Sequence, residues 1–143
     1  KGLSAPIGSV VCGNEKFIYY ARRIRKALGG GMRQAGIIAA AGIVSLKKMM
    51  TQLKKDHENA QQLAQGILNI EGFSLEKKNV KTNIIYFELD SSKITGSQLV
   101  TEMENKGVKF FETSQNRFRL VTHYGITPDC VKKTLQSFQE VLD

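Results

Sequence analysis

Thr82-Asn83-Ile84-Ile85-Tyr86-Phe87-Glu88-Leu89 is a run rich in β-branched and aromatic residues, closed by the turn-forming Asp90-Ser91-Ser92. Such a run reads as a β-strand bounded by a turn. Just beyond it, Thr95-Gly96-Ser97-Gln98 has the spacing of a capping box, Leu99, Val100 and Met103 supply an apolar side, and Gly107 supplies a stop. Together these predict a helix. Two more strands are expected at residues 108–112 and 118–122, joined by the polar turn 113–116. A last helix is capped at Thr127-Pro128 and offers Val131, Leu135, Phe138 and Leu142 for burial. The order strand, helix, strand, strand, helix implies an α+β layer with its helices on one sheet face.

Toward the amino terminus the pattern turns helical. Met49, Met50, Leu53, His57, Ala60, Ala64, Ile67 and Leu68 recur in steps of three and four, with Lys54, Lys55, Asp56 and Glu58 between them. This predicts an amphipathic helix ending near Asn69. Residues 32–47 are mostly Ala, Gly, Ile, Val and Leu with almost no charge, which predicts a helix packed on most of its sides. A further helix is expected over residues 14–27, with Asn14 as cap, Glu15 in the first turn and the arginines in the last, matching the helix dipole. Gly29-Gly30-Gly31 ends it. Residues 7–13, Ile-Gly-Ser-Val-Val-Cys-Gly, read as a short buried strand with Lys1 at its mouth. The change from an Ala/Gly-rich helix to a charged one near Lys48 divides the chain into residues 1–48 and 49–143.

With 143 residues, 41% of them hydrophobic, the chain has ordinary globular composition. Lys and Arg number 21 against 13 Asp and Glu, a net charge of +8 that suits an anionic partner: nucleic acid, a membrane surface or a phosphorylated ligand. Cys12 and Cys130 are too few and too far apart for a disulfide framework or a zinc site, which points to a reducing compartment, taken as the cytoplasm. No apolar run reaches the roughly 18 residues of a membrane span. Lys1-Gly2-Leu3-Ser4 has neither Met nor a cap or turn signal, so an upstream portion is expected.

Four features bear on chemistry. Lys1 stands beside small residues, Gly2-Leu3-Ser4-Ala5-Pro6, ahead of a buried strand; it is either a solvated terminal lysine or an amine desolvated enough for covalent carbonyl chemistry. Gly29-Gly30-Gly31-Met32-Arg33-Gln34, if it opens the apolar helix, aims free N–H groups and an arginine at a phosphate or carboxylate; the alternative is a plain hinge. In Arg117-Phe118-Arg119-Leu120-Val121-Thr122-His123, alternation puts Arg117, Arg119, Val121 and His123 on one face. That face either grips a carboxylate or protects an edge strand by charge. His57, between Asp56 and Glu58, lies on the apolar stripe and reads as a core or interface residue rather than a catalytic one.

Four segments in order, Lys-Gly-Leu-Ser-Ala-Pro-Ile-Gly-Ser at 1–9, Arg-Lys-Ala-Leu-Gly-Gly-Gly-Met-Arg-Gln-Ala-Gly at 25–36, Asp-His-Glu-Asn-Ala at 56–60 and Arg-Leu-Val-Thr-His at 119–123, resemble the low-specificity L-threonine aldolases. The resemblance spans essentially the whole chain, which is similar to the family's second half. It implies an α/β architecture of the aspartate aminotransferase type, fold type I: residues 1–48 closing the large cofactor domain and residues 49–143 forming the small α+β domain. It further implies pyridoxal 5'-phosphate bound covalently through Lys1, Lys26 and Arg33 near its phosphate, and Arg119 holding the substrate α-carboxylate. At least one of Lys26 and Arg33 is implied to reach a neighbouring subunit of a homotetramer. The implied reaction is reversible cleavage of threonine or allo-threonine to glycine and acetaldehyde, in threonine catabolism and glycine formation.

The family's cofactor-stacking histidine, its pyridine-pairing aspartate and its Gly/Thr phosphate turn have no counterpart here, so residues 1–143 alone are expected to be inactive and to need the upstream half of the same enzyme. Two further enzyme readings stand beside this one: another fold-type-I lyase or aminotransferase, and an inactive truncated homologue. The Gly-Gly-Gly-Met-Arg-Gln motif argues for the aldolase. From a different class, a basic nucleic-acid-binding module would use the Arg22 to Lys26 cluster. Against it, no such motif is present, and Phe110, Phe111 and Phe118 read as core rather than as a stacking platform. The expected partner is therefore a small amino acid, with neither nucleic acid, membrane nor metal.

Overall fold

Asn14 opens the first regular element of the computed structural model, which describes residues 2–143. Its Oδ1 accepts the amide hydrogen of Phe17 at 2.9 Å, satisfying one of the free N–H groups at the start of helix α1, Glu15–Ala27. Glu15 lies in the first turn and Arg25 and Lys26 in the last, each at the favourable end of the dipole. The chain divides into two compact units, one ending at Met50 and the other running from Thr51 to Asp143.

Two expectations for the first unit are corrected. Residues 7–13 form no strand, and Ile7, Val10 and Val11 are exposed. A buried strand needs neighbours to take up its N–H and C=O groups, and none of the described strands pairs with this segment. The apolar helix begins at Gly36 rather than Met32, because Gln34 has φ 50°, which an α-helix interior does not admit. This helix, α2, covers Gly36–Val44 and runs into a π-helical turn at Ser45–Met49, where the Ser45 hydroxyl donates back to the Ala41 carbonyl at 3.0 Å. Instead of being packed on most sides, it leaves Ile37 88% exposed and Ile43, Val44 and Leu46 exposed as well.

The second unit starts with helix α3, Gln52–Leu68, followed by β1, Phe73–Ser74, and β2, Ile84–Leu89. Helix α4, Gly96–Asn105, carries the expected reciprocal capping box between Thr95 and Gln98. Strands β3, Phe111–Ser114, and β4, Arg117–Val121, then lead to helix α5, Pro128–Leu142, whose proline sits in the first turn behind the Thr127 cap. The four strands form one antiparallel sheet in the order β1-β2-β4-β3. β1 escaped the sequence reading because two residues carry no readable period. β3 begins three residues later than expected and reaches Ser114, turning at Asn116 with φ 57°, a left-handed value that asparagine tolerates.

Side-chain alternation along β2 and β4 decides what lies inside. Ile85, Phe87 and Leu89 and, opposite them, Phe118 and Leu120 face α3 and α5, while Ile84, Tyr86, Glu88, Arg117, Arg119 and Val121 face outward. Phe87 is the hub of an aromatic cluster, stacked on Phe118 at 5.1 Å and meeting Phe73, Phe110 and Phe138 edge-on at 5.4 to 5.9 Å. Offset and edge-on pairs of this kind add to the burial of each ring, itself worth about 1.5–3 kcal/mol. Phe111, expected in this core, is 75% exposed on the outer side of β3. Helix α3 lies so close to α5 that a Cβ on Gly66 would fall 2.9 Å from Leu135 Cγ, so a larger residue there would force the Leu135 side chain to move.

Two outcomes follow for the whole protein. Phe87→Ala should cost about 3–5 kcal/mol in denaturant unfolding, since it empties the centre of the cluster. On the surface, Lys106 Nζ donates to Glu140 Oε2 at 2.7 Å, joining the end of α4 to α5, and this bond, helped by Gln136, lowers the Glu140 carboxyl below its ordinary value of 4.5. A depressed carboxyl stabilises the fold above its ordinary value and loses that contribution as pH falls through the lowered one. Glu140→Gln should therefore lower the thermal midpoint slightly at neutral pH, with the difference from wild type closing in acid below pH 4.5.

Candidate functional site

Gly29 takes φ +84° immediately after α1, and two bonds close the helix end: Gly30 N to Arg25 O at 2.8 Å and Gly29 N to Lys26 O at 3.2 Å. This is the Schellman arrangement, with Gly29 as the left-handed residue. The glycine triplet therefore terminates α1 and does not open α2, which starts five residues after Gly31. The dipole argument for an anion site at the triplet is overturned, because the amides of Gly29 and Gly30 are spent on helix carbonyls and the helix end they face is the negative one.

What the triplet does is bring two side chains over bare backbone. A Cβ on Gly30 would lie 2.8 Å from Arg25 Cγ, and one on Gly31 would lie 2.9 Å from Lys26 Nζ. Lys26 thus folds across the turn that leads to Arg33. Both cations are exposed, and neither has a carboxylate partner among the described residues. A phosphate held here would be held by these two side chains. Lys1 lies outside the described residues.

Arg117 and Arg119 both project from the outer sheet face, as the alternation predicts, but their surroundings differ. The Arg117 guanidinium sits 5.1 Å from the centre of the Tyr86 ring, and its Nε lies 3.9 Å from Glu88. Arg119 is flanked across the sheet by Tyr86 on β2 and Phe111 on β3 and has no ion pair among the described residues. Of the two arginines, Arg119 is the one available to an incoming carboxylate. His123 follows on the exposed side with its Nδ1 2.7 Å from the Tyr124 carbonyl. A carbonyl only accepts, so in this contact Nδ1 is the donor.

The Asp56-His57-Glu58-Asn59 segment is arranged against expectation. His57 is half-buried, but Asp56, read from sequence as lying between the apolar positions, is 1% exposed on the inner side of α3, and Asn59 is buried beside it. Asp56 Oδ1 accepts from Gln52 Nε2 at 2.9 Å. Asp56 thus finds its side-chain partner one turn back on its own helix, whereas Asn59 finds its partner, the Ile126 carbonyl, 67 residues away, which helical spacing does not reveal. Among the described residues no cluster of His, Cys, Asp or Glu could hold a metal, and no helix is long and apolar enough to cross a membrane.

Residues 1–90 match the family described as beta-eliminating lyase. Over 143 residues the chain is 38% identical to low-specificity L-threonine aldolase 1 of Arabidopsis thaliana, covering 99% of this chain and 40% of that protein. It is 52% identical over 65 residues to the low specificity L-threonine aldolase of Escherichia coli strain K12, covering 46% of this chain and 20% of that one. Among solved structures, MppP soaked with the product 2-ketoarginine superposes with TM-score 0.54 at 12% identity over 74% of this chain and 32% of that one, a likeness of fold alone. Family and fold agree with the α/β, fold-type-I architecture expected from the sequence.

The turn after α1 is open to a direct check. Gly29→Ala forces a Cβ into φ +84° and should destabilise the protein by about 1 kcal/mol, read as a lowered thermal midpoint, whereas Gly29→Asn should lose less, because asparagine tolerates the left-handed region.

Proposed function

Because the chain belongs to the beta-eliminating lyase family, we propose that it is part of a pyridoxal-phosphate-dependent aldolase that cleaves L-threonine or L-allo-threonine to glycine and acetaldehyde. The observation that carries the reading is Arg119: an outward guanidinium, unpaired among the described residues, beside an Arg117 that is already engaged. The similarity to proteins named threonine aldolases supports the same reading over nearly the full chain.

Lys26 and Arg33 suit the cofactor phosphate, being exposed cations at one glycine turn with no carboxylate of their own among the described residues. Lys1 would hold the cofactor through its amine. When bound, pyridoxal phosphate provides the electron sink for the breaking Cα–Cβ bond. Arg119 grips the α-carboxylate through two parallel N–H donors, which fixes the amino acid's rotation about Cα and so selects the bond that is aligned for cleavage. Selection of the Cα–Cβ bond separates this reaction from β-elimination or transamination. On this reading the whole enzyme acts as a homotetramer, of which this chain, spanning 40% of the length of its Arabidopsis relative, supplies a part.

The test uses the full-length protein incubated with pyridoxal phosphate, reduced with borohydride and digested. A phosphopyridoxyl group on Lys1 and acetaldehyde release from threonine are the expected results. Labelling spread evenly over surface lysines, with Lys1 unmodified, would remove the cofactor assignment. Arg119→Lys loses the bidentate geometry and should raise KM for threonine by about tenfold or more, measured by steady-state kinetics.

A further inference from the structure

Thr122 is a hydroxyl-bearing residue at an inward-facing position, one step past the last paired residue of β4, and it is 1% exposed. Every other inward position on β2 and β4 is apolar: Ile85, Phe87, Leu89, Phe118 and Leu120. Valine would fill the same volume. The hydroxyl instead donates to the backbone carbonyl of Asp56 on α3 at 2.6 Å. The Thr122 amide donates to the Asn83 carbonyl at 2.9 Å, and the Asn83 side-chain amide returns a bond to the Thr122 carbonyl at 2.7 Å. One turn farther along α3, Asn59 Nδ2 donates to the Ile126 carbonyl at 2.8 Å.

These bonds stitch the first turns of α3 to the exit of β4. Their geometric consequence falls on Arg119. A strand that slips by one residue exchanges its two faces, which would carry Arg119 inward and Phe118 outward. Apolar side chains resist such a slip only through packing. A buried hydroxyl resists it more sharply, because in the slipped register the hydroxyl and the Asp56 carbonyl no longer meet. The Asp-His-Glu-Asn segment thereby gains a role that does not use the His57 ring: it presents the Asp56 carbonyl to Thr122, just past β4, and the Asn59 amide to Ile126 in the loop that follows.

We infer that Thr122 directly, and Asn59 through the loop that follows β4, are positioning residues for Arg119, holding β4 in the register that offers its guanidinium to the substrate carboxylate. The inference rests on the reading of Arg119 as the carboxylate-binding residue.

The experiment compares Thr122→Val, Thr122→Ser, Asn59→Ala and Arg119→Lys in the full-length protein loaded with pyridoxal phosphate. It reads KM and kcat for threonine, the dissociation constant of glycine by calorimetric titration, and the thermal midpoint. Thr122→Val should raise KM and the glycine constant together by about tenfold while kcat stays within about threefold, and Thr122→Ser, which keeps the hydroxyl, should restore both. A Thr122→Val protein with a lowered thermal midpoint but wild-type KM and glycine binding would show a merely structural role and overturn the inference. If that variant does not fold, Asn59→Ala decides in its place, and unchanged glycine binding there overturns the inference equally. Should Arg119→Lys itself leave KM and glycine binding unchanged, the carboxylate reading fails and the positioning role falls with it. An effect of Arg119→Lys without one from Thr122→Val or Asn59→Ala removes the positioning role alone.

Discussion

The pairing of β2 with β4 is the constraint on which the second unit depends. Ile85 opposite Leu120 and Phe87 opposite Phe118 set one face of the sheet toward the helices, and the same register sets Arg117 and Arg119 on the other. Core and candidate site are therefore two sides of one decision. Because the side-chain period of a strand is two, no adjustment of one face leaves the other unchanged.

The same register distinguishes two arginines that composition treats alike. Arg117 lies diagonal to Tyr86 and opposite Glu88, and both engage it. Arg119 lies opposite Tyr86 and Phe111, neither of which carries a charge. Cross-strand neighbours, not the arginines themselves, give one a charged partner and leave the other without one among the described residues.

In the first unit the glycine triplet performs a comparable sorting over a shorter range. Gly29 supplies the left-handed turn that ends α1, and Gly30 and Gly31 leave space for the stems of Arg25 and Lys26. The cations are set by a helix ending, in contrast to the helix beginning that the sequence suggested. The exposed apolar residues of α2 belong to the same unit; their composition is that of a buried helix, and apolar surface of that kind is normally covered in an assembled protein.

Much of the fold was legible before any coordinates. Asn14, the Thr95–Gln98 box and Thr127-Pro128 are local devices whose hydrogen bonds close within four residues, so sequence alone determined where α1, α4 and α5 begin. The outward alternation of Arg117 and Arg119 was legible for the same reason, since it follows from the strand's own period. Tertiary structure decided the rest. The burial of the Asn59 amide and the Thr122 hydroxyl depends on partners 67 and 66 residues away, β1 exists only as the edge partner of β2, and residues 7–13 lack, among the described residues, the neighbouring strand that their composition invites. Propensity and capping act through bonds between near neighbours, whereas burial of a polar group and pairing of a strand are properties of two segments brought together by the fold.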